Sequence, residues 1–181
     1  MVIEHTFIGK KLPMVDAKEK VSGNGEYIAD MTLPGMLHGR MLRSPHPHAR
    51  ILNIDASAAE KVPGVRAILT GRSSPQPKFG ISTLDETPFA VDKVRYVGDE
   101  VAGVAAESED ALEEALSKIA VDYEEIPFVT DPLEALEAGA PLVHEDKPGN
   151  VAYAFEIERG DVDGAFQRAD KVFEERYRTH L

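Results

Sequence analysis

The apolar positions between residues 92 and 127 change their period twice. Residues 101–106 form a small, nearly uncharged run, which is typical of a strand buried on both faces. The next apolar residues follow the i, i+3, i+4, i+7 spacing of one helical face and are Leu112, Ala115, Leu116 and Ile119. Val121 and Tyr123 then alternate with acidic residues, as in a half-buried strand. The pattern predicts a strand, a helix and a second strand that ends at Pro127.

Polar residues mark where this helix begins. Ser108 precedes it, and its hydroxyl can accept a hydrogen bond from a free backbone N–H of the first turn. Glu109 and Asp110 place negative charge at the positive end of the helix dipole. We therefore predict that Ser108 is the N-cap and that Leu116, on the apolar face, lies in the core.

A second unit of the same kind is predicted earlier in the chain. Residues 37–43 and 49–55 have the pattern of strands, and the prolines at 45 and 47 interrupt them. Ser57 is predicted to cap a short helix over residues 58–62, and residues 65–70 form a further apolar strand. Two strand-helix-strand units predict an α+β or α/β domain, with helices covering a sheet. The pattern does not specify the strand order.

The flanking segments show weaker patterns. Residues 1–19 have no sustained period and are expected to form an N-terminal arm, whereas residues 71–87 are expected to form a surface loop, with a functional loop as the alternative. Residues 131–150 contain a predicted helical turn at 133–136 and otherwise have the composition of a linker. The remainder, residues 151–181, predicts a strand at 151–157, a helix at 162–169 capped by Asp161, and a strand at 171–180. We expect this last unit to be a fragment, or to pack on a structure outside the chain.

Composition excludes several functional classes. The 181 residues carry 32 acidic and 20 basic side chains and a net charge of -12, which opposes binding to nucleic acid or anionic lipid. No apolar run reaches the length of a membrane span, and the first residues lack the core of a signal peptide, so a cytoplasmic location is expected. With no cysteine, the chain offers no disulfide, thiolate nucleophile or usual iron–sulfur ligands.

The polar motifs predict no self-contained active site. His46 and His48 are a possible metal pair, but no third ligand is near in sequence, and His144 with its acidic neighbours 145 and 146 is expected to be a surface turn. Glu124 and Glu125 are adjacent on a strand and point to opposite faces, so they do not form a carboxylate pair. The serines at 44, 57 and 108 lie in turn and cap contexts. We therefore expect no catalytic, cofactor-binding or metal-binding residue in this chain, and an independent hydrolase is disfavoured.

Three stretches carry a family resemblance: Arg43–Ile51 (RSPHPHARI), Pro63–Val65 (PGV) and Val94–Ala102 (VRYVGDEVA). With the sequence around them, they resemble the start of the molybdenum-cofactor-binding subunit of the xanthine dehydrogenase and aldehyde oxidase family. Residues 78–106 are most similar to the large subunit of 4-hydroxybenzoyl-CoA reductase.

The resemblance implies an α/β-hammerhead domain at residues 20–130, and the opening unit of the molybdenum-binding region at 151–181. It also implies a molybdopterin cofactor in the rest of the subunit, Fe–S and FAD groups on partner subunits or domains, and a homo-oligomeric complex. The implied reaction is reductive removal of the phenolic hydroxyl of 4-hydroxybenzoyl-CoA or, in other members, addition of a water-derived oxygen to an aromatic or aldehyde carbon. The fragment alone is expected to be inactive. The contrasting hypothesis is a free-standing acidic binding or adaptor domain that uses the loop at residues 71–87.

Overall fold

The computed structural model of the chain describes residues 6–81, 84–177 and 179. Within these residues the strands are β1 (His38–Arg43), β2 (Ala49–Asp55), β3 (Val65–Thr70), β4 (Lys93–Val94), β5 (Glu100–Ala106) and β6 (Ala120–Glu125). The α-helices are α1 (Ala17–Ser22), α2 (Glu109–Ser117) and α3 (Val162–Arg168). Short 3-10 turns lie at Ile28–Asp30, Ala59–Lys61, Glu134–Leu136 and Pro148–Asn150. This mixture of helices and antiparallel strands confirms the predicted α+β class.

The strands form two antiparallel three-stranded sheets, in the orders β1-β5-β3 and β4-β2-β6. Strands β2 and β3 are consecutive along the chain but belong to different sheets. The same is true of β5 and β6. Each predicted strand-helix-strand unit therefore crosses from one sheet to the other. The sheets are held together because each unit contributes a strand to both.

Strand β5 lies at the centre of the first sheet and is buried on both faces, as its small apolar residues predict. Ala102, Val104 and Ala106 pack in one apolar cluster with helix α2. Val101 packs in a second cluster with residues of β2 and β4. At Gly103 a Cβ atom would lie 3.0 Å from the ring of Phe89, so glycine allows this ring to cover the strand.

Helix α2 begins and packs as its sequence predicts. The Oγ atom of Ser108 accepts a hydrogen bond from the backbone N–H of Ala111 at 3.2 Å, which confirms the N-cap. Leu112 and Ala115 are fully buried against β5 and the turn before β3. Leu116, predicted to lie in the core, is only partly buried at the margin of this cluster.

The predicted helix over residues 58–62 is shorter than expected, and Ser57 does not cap it. The structure has a single 3-10 turn, Ala59–Lys61, with no side-chain cap. Instead, Oδ1 of Asp55 accepts a hydrogen bond from the backbone N–H of Ser57 at 2.9 Å. The Asp55 side chain closes a turn two residues on, and this competes with a longer helix.

The N-terminal segment carries a short helix that its sequence pattern does not predict. Helix α1 buries none of its residues, so its sequence has no need of an apolar face, and the spacing of apolar residues does not reveal it. Gly23 ends the helix with φ +72° and donates its backbone N–H to the last turn. Residues 1–5 of the predicted arm lie outside the described residues.

The two strands predicted near the C-terminus are wrong for the described residues. Residues 151–159 and 171–177 contain no strand and are exposed, because no neighbouring strand offers them backbone hydrogen bonds. Residues 178, 180 and 181 of the last predicted unit lie outside the described residues. Between the two segments, α3 forms as predicted, with Oδ1 of Asp161 accepting from the backbone N–H of Gly164 at 2.9 Å.

Residues 131–150 are organised by side-chain hydrogen bonds. Asn150 has a positive φ of 57° and accepts from the backbone N–H of Val143 at 2.9 Å. Its amide group donates to the carbonyl oxygens of Ala135 at 3.0 Å and Pro141 at 2.9 Å. One side chain therefore joins three points of the segment and folds it back on itself. The division of the chain into arm, domain, linker and following region stays a prediction.

Candidate functional site

A cleft of about 760 Å³ lies beside the start of β5. It is bounded by the loop before β4, the turn between β4 and β5, and residues 143 and 144. Its polar side chains include Asp85, Glu86, Arg95, Tyr96, Asp99, Glu100 and His144. Four of these seven side chains are carboxylates, so the cleft favours positively charged or hydrogen-bond-donating groups.

Two side chains of the cleft wall, Tyr96 and Asp99, have raised pKa values. The hydroxyl of Tyr96 donates to Oε2 of Glu100 at 3.1 Å. Partial burial, together with the carboxylates of Asp99 and Glu100, raises the pKa of Tyr96 to about 12, so the phenol remains protonated. Burial also raises the pKa of Asp99, although its carboxylate accepts the backbone N–H of Arg95 at 2.9 Å. The tyrosine is therefore a hydrogen-bond donor and not a base.

A buried lysine fixes the outer wall of the cleft. The side chain of Lys93 is 10% exposed, and its Nζ donates to Oε1 of Glu145 at 2.6 Å. This hydrogen bond is the main cause that lowers the pKa of Glu145 to about 2. Nε2 of the adjacent His144 lies 3.5 Å from Oδ2 of Asp85. Burial is the main cause that lowers the pKa of His144, and the positive charge of Arg95 is the second. The carboxylate of Asp85 acts in the opposite direction but does not reverse the shift. Residues 143–146 are thereby held against β4.

The structure separates the other residues that sequence analysis considered. His46 contacts Glu125, with Nδ1 3.3 Å from Oε1, whereas His48 is buried and directs Nδ1 to the carbonyl of Pro127 at 2.9 Å. Glu124 pairs with Arg50 at 3.1 Å, so the two adjacent glutamates have different partners. Across the described ranges, no group of three His, Cys, Asp or Glu side chains could hold a metal ion.

The three candidate serines have structural hydrogen bonds. Oγ of Ser44 accepts the backbone N–H of His46 at 3.0 Å and donates to the carbonyl of the same residue. Ser57 lies in the turn closed by Asp55, and Ser108 caps α2. The hydroxyls of Ser44 and Ser108 therefore have structural roles in a turn and a cap, and Ser57 contributes its backbone N–H to its turn.

Sequence reasoning missed the cleft because its members come from four distant segments. The run Tyr96–Glu100, with Gly98 inside it, carries part of the family resemblance, but its spacing does not indicate a cleft wall. Lys93 belongs to the cleft wall because it binds Glu145, which lies far from it in the sequence, and no local pattern predicts that contact. Buried charges of this kind become visible only when the partners are located in space.

Comparison with known proteins identifies the family. Residues 22–127 match the model described as aldehyde oxidase and xanthine dehydrogenase, a/b hammerhead domain. This chain therefore belongs to the aldehyde oxidase and xanthine dehydrogenase family, whose curated relatives are oxidoreductases. The match also confirms the predicted hammerhead fold.

Individual relatives agree with this assignment. The chain is 43% identical to a probable xanthine dehydrogenase subunit of Bacillus subtilis, covering 90% of this chain and 22% of the relative. It is 40% identical to the nicotinate dehydrogenase large molybdopterin subunit of Eubacterium barkeri, covering 98% of this chain and 41% of the relative. The chain thus spans less than half the length of these curated relatives.

Solved structures show the same fold. Quinoline 2-oxidoreductase from Pseudomonas putida 86 superposes with a TM-score of 0.75 at 34% identity, over 91% of this chain and 22% of that one. The aldehyde oxidoreductase from Desulfovibrio gigas gives a TM-score of 0.72 at 30% identity, over 90% of this chain and 19% of that one.

Proposed function

We propose that this chain acts as the α/β-hammerhead domain of the large subunit of a molybdenum-dependent oxidoreductase, and that it is inactive alone. The observation that carries the proposal is the family match over residues 22–127, which coincides with the packed two-sheet domain. In this domain Ser44, Ser57 and Ser108 lie in turns and a cap, and Arg50 and Lys93 form ion pairs. Its role is to support a catalytic centre formed by other parts of the subunit.

The proposal includes cofactors that other regions hold. A molybdopterin cofactor belongs to the remainder of the subunit, and Fe–S and FAD groups belong to partner subunits or domains. The residues of this chain do not fit direct ligation of an Fe–S cluster or a metal ion, since the sequence has no cysteine and the described part has no cluster of metal ligands.

The location and assembly of the whole protein are part of the same proposal. No helix in the described part of the chain is long and apolar enough to cross a membrane. We propose a cytoplasmic complex that is homo-oligomeric and binds neither nucleic acid nor membranes. The net charge of -12 supports the last point, because it repels phosphate groups.

For the substrate class we propose a nitrogen-containing aromatic ring that is hydroxylated at carbon. The names of three similar proteins support this class, because they specify nicotinate, nicotine and quinoline. A second candidate is reductive removal of the phenolic hydroxyl of 4-hydroxybenzoyl-CoA. It is supported by the similarity of residues 78–106 to the large subunit of that reductase.

The test is an assay of the complete complex that contains this chain. Nicotinate, xanthine, an aromatic aldehyde and 4-hydroxybenzoyl-CoA are offered separately, with an artificial electron acceptor or donor as each reaction requires. Turnover of a heteroaromatic compound supports the first substrate class, and turnover of the thioester alone supports the second. The isolated 181-residue chain is the control and is expected to be inactive. Turnover by that chain would contradict the structural role.

A further inference from the structure

The turn that follows helix α1 contains an asparagine and then a glycine, Asn24 and Gly25. Gly23 ends the helix in the left-handed conformation, and the backbone N–H of Asn24 donates to the carbonyl of Glu19 at 3.0 Å. This hydrogen bond completes the C-terminal cap of α1. Asn24 is exposed to solvent. The proposed function does not use this turn.

The cap leaves two reactive groups of the turn free. Within the described part of the chain, neither the side-chain amide of Asn24 nor the backbone N–H of Gly25 makes a hydrogen bond. A hydrogen bond at either group would resist the movement that brings the two together, because asparagine side chains readily reach the backbone close to them in sequence. Gly25 has no Cβ, so its nitrogen is open to approach and its backbone adapts easily.

These two groups can react with each other, and the reaction consumes only water. The backbone nitrogen of Gly25 loses its proton and attacks Cγ of Asn24, so that a C–N bond forms and the side-chain nitrogen leaves as ammonia. Water then opens the cyclic imide at one of its two carbonyl carbons. Opening at Cγ leaves a normal aspartate, and opening at the main-chain carbonyl leaves an isoaspartate. In both products one amide has become one carboxylate, with no oxidation or reduction.

We propose that Asn24 is a deamidation site of the folded protein and that Gly25 supplies the attacking nitrogen. The structure distinguishes Asn24 from the other two asparagines of the sequence. Asn53 lies within strand β2, where the ladder with β6 fixes the backbone. Asn150 holds its side-chain amide in three hydrogen bonds. A β-branched residue follows each of these two, and its stiff side chain crowds the backbone nitrogen.

Deamidation changes the charge and the backbone at the end of α1. It adds one carboxylate to a chain whose net charge is already -12. The new charge lies just beyond the C-terminal end of the helix, where the helix dipole is negative and disfavours an anion. The isoaspartate product also inserts a methylene group into the backbone between the cap and Gly25. Both products are therefore expected to weaken the end of α1. This inference does not depend on the proposed enzymatic activity.

Peptide mapping of the complete protein that contains this chain tests the proposal. The protein is incubated at neutral and at mildly alkaline pH and sampled over time, and a fresh sample digested in parallel corrects for change during digestion. Trypsin releases residues 21–40 as a peptide in which Asn24 has the only side-chain amide. Mass spectrometry is expected to show the gain from NH₂ to OH in this peptide, rising with time and pH, while the peptides with Asn53 and Asn150 keep their amides. No gain at Asn24, or equal gains in all three peptides, would overturn the proposal.

A matched pair of variants tests the role of Gly25. A Cβ at this position would lie an ordinary 3.7 Å from the ring of Tyr27, so Gly25→Ala is expected to fold. Its methyl group hinders the attacking nitrogen, and we expect the variant to lose most of the mass gain. Gly39→Ala is the control, because it lies in the same peptide but away from the turn, and it is expected to keep the full gain. An undiminished gain in Gly25→Ala would contradict the attack by its nitrogen.

A comparison of folded and unfolded protein tests the role of the structure. Because the native contacts leave both reactive groups free, Asn24 is expected to deamidate at a similar rate in the folded protein and in urea. A folded rate far below the unfolded rate would show that the native turn protects Asn24, and this result would overturn the proposal.

Discussion

Ser44 and Asp99 are joined through their backbones, with the N–H of Ser44 donating to the carbonyl of Asp99 at 2.9 Å. The carbonyl of Ser44 in turn accepts from the N–H of Gly98 at 2.8 Å. Arg43 adds a side-chain contact, with Nη1 2.7 Å from the carbonyl of Gly98. The stretches 43–51 and 94–102, which carry the family resemblance, therefore form one structural unit. Backbone and side-chain hydrogen bonds join the two stretches directly.

Gly98→Ala is expected to destabilise this unit. Gly98 has φ +101°, a conformation that residues with a side chain rarely adopt, although no atom lies within 4 Å of the Cβ position. Backbone strain alone is expected to lower the free energy of unfolding by about 1–3 kcal/mol. Urea denaturation measures the change.

The control for this substitution is Gly39→Ala in strand β1. A Cβ at Gly39 would lie an ordinary 3.8 Å from the carbonyl of Val104, and this residue has no positive φ. We expect no loss of stability in the control. Equal losses in the two variants would contradict the explanation based on strain.

Leu112→Ala is expected to lower the free energy of unfolding by about 2–5 kcal/mol, because it removes a fully buried side chain from the core. Leu116→Ala is the matched comparison on the same helix. Leu116 is only partly buried, so we expect a smaller loss. Thermal or urea unfolding of both variants gives the difference. A larger loss for Leu116→Ala would show that the helix presents a different face to the sheet.

Ser108→Ala is expected to cost about 0.5–2 kcal/mol of stability, because the backbone N–H of Ala111 loses its acceptor. Ser117→Ala, at the other end of α2, is the control. The exposed hydroxyl of Ser117 donates to the carbonyl of Glu114 and caps no free N–H, so its removal is expected to be nearly neutral. Denaturant unfolding of the two variants distinguishes them, and similar losses would contradict the capping role.

The ion pair of Lys93 and Glu145 is expected to make stability depend on pH. The pKa of Glu145 is lowered from 4.5 to about 2, so its carboxylate is more stable in the folded chain than in the unfolded one. This contribution is fully present above pH 4.5 and is lost as the pH falls from 4.5 to about 2. Glu145→Gln is expected to weaken the pH dependence in this range.

Urea titrations from neutral pH down into this range measure the effect. Glu124→Gln is the control, because Glu124 belongs to an exposed pair with Arg50 and its loss is expected to change the pH profile less. A pH profile of Glu145→Gln identical to that of the wild type would show that the Lys93 contact does not couple protonation to folding.

The sequence predicts features that depend on neighbours a few residues apart. The Ser108 cap, the buried face of α2, strand β5 and the Asp161 cap all follow from local spacing, and the structure contains each of them. The strand predicted at 151–157 fails because a strand also needs a hydrogen-bonding partner, which the pattern cannot specify.

The polar contacts at the cleft and around His48 also depend on partners that are not local in the sequence. Glu145 is distant in sequence from Lys93, and Pro127 is distant from His48. Local patterns report which residues are polar, but they do not report which polar residues meet. The family resemblance identifies the segments that meet without giving the contacts between them.

The alternation of consecutive strands between two sheets has a consequence during synthesis. Strand β1 pairs with β5 and strand β2 pairs with β6, so both ladders join segments that are far apart in the chain. The first sheet cannot assemble until Ala106 has left the ribosome, and the second is incomplete until Glu125 has followed. Until then β1, β2 and β3 are translated without these partners, and contacts of such long sequence separation form slowly. The nascent chain therefore exposes three strands with incomplete pairing until β5 and β6 emerge.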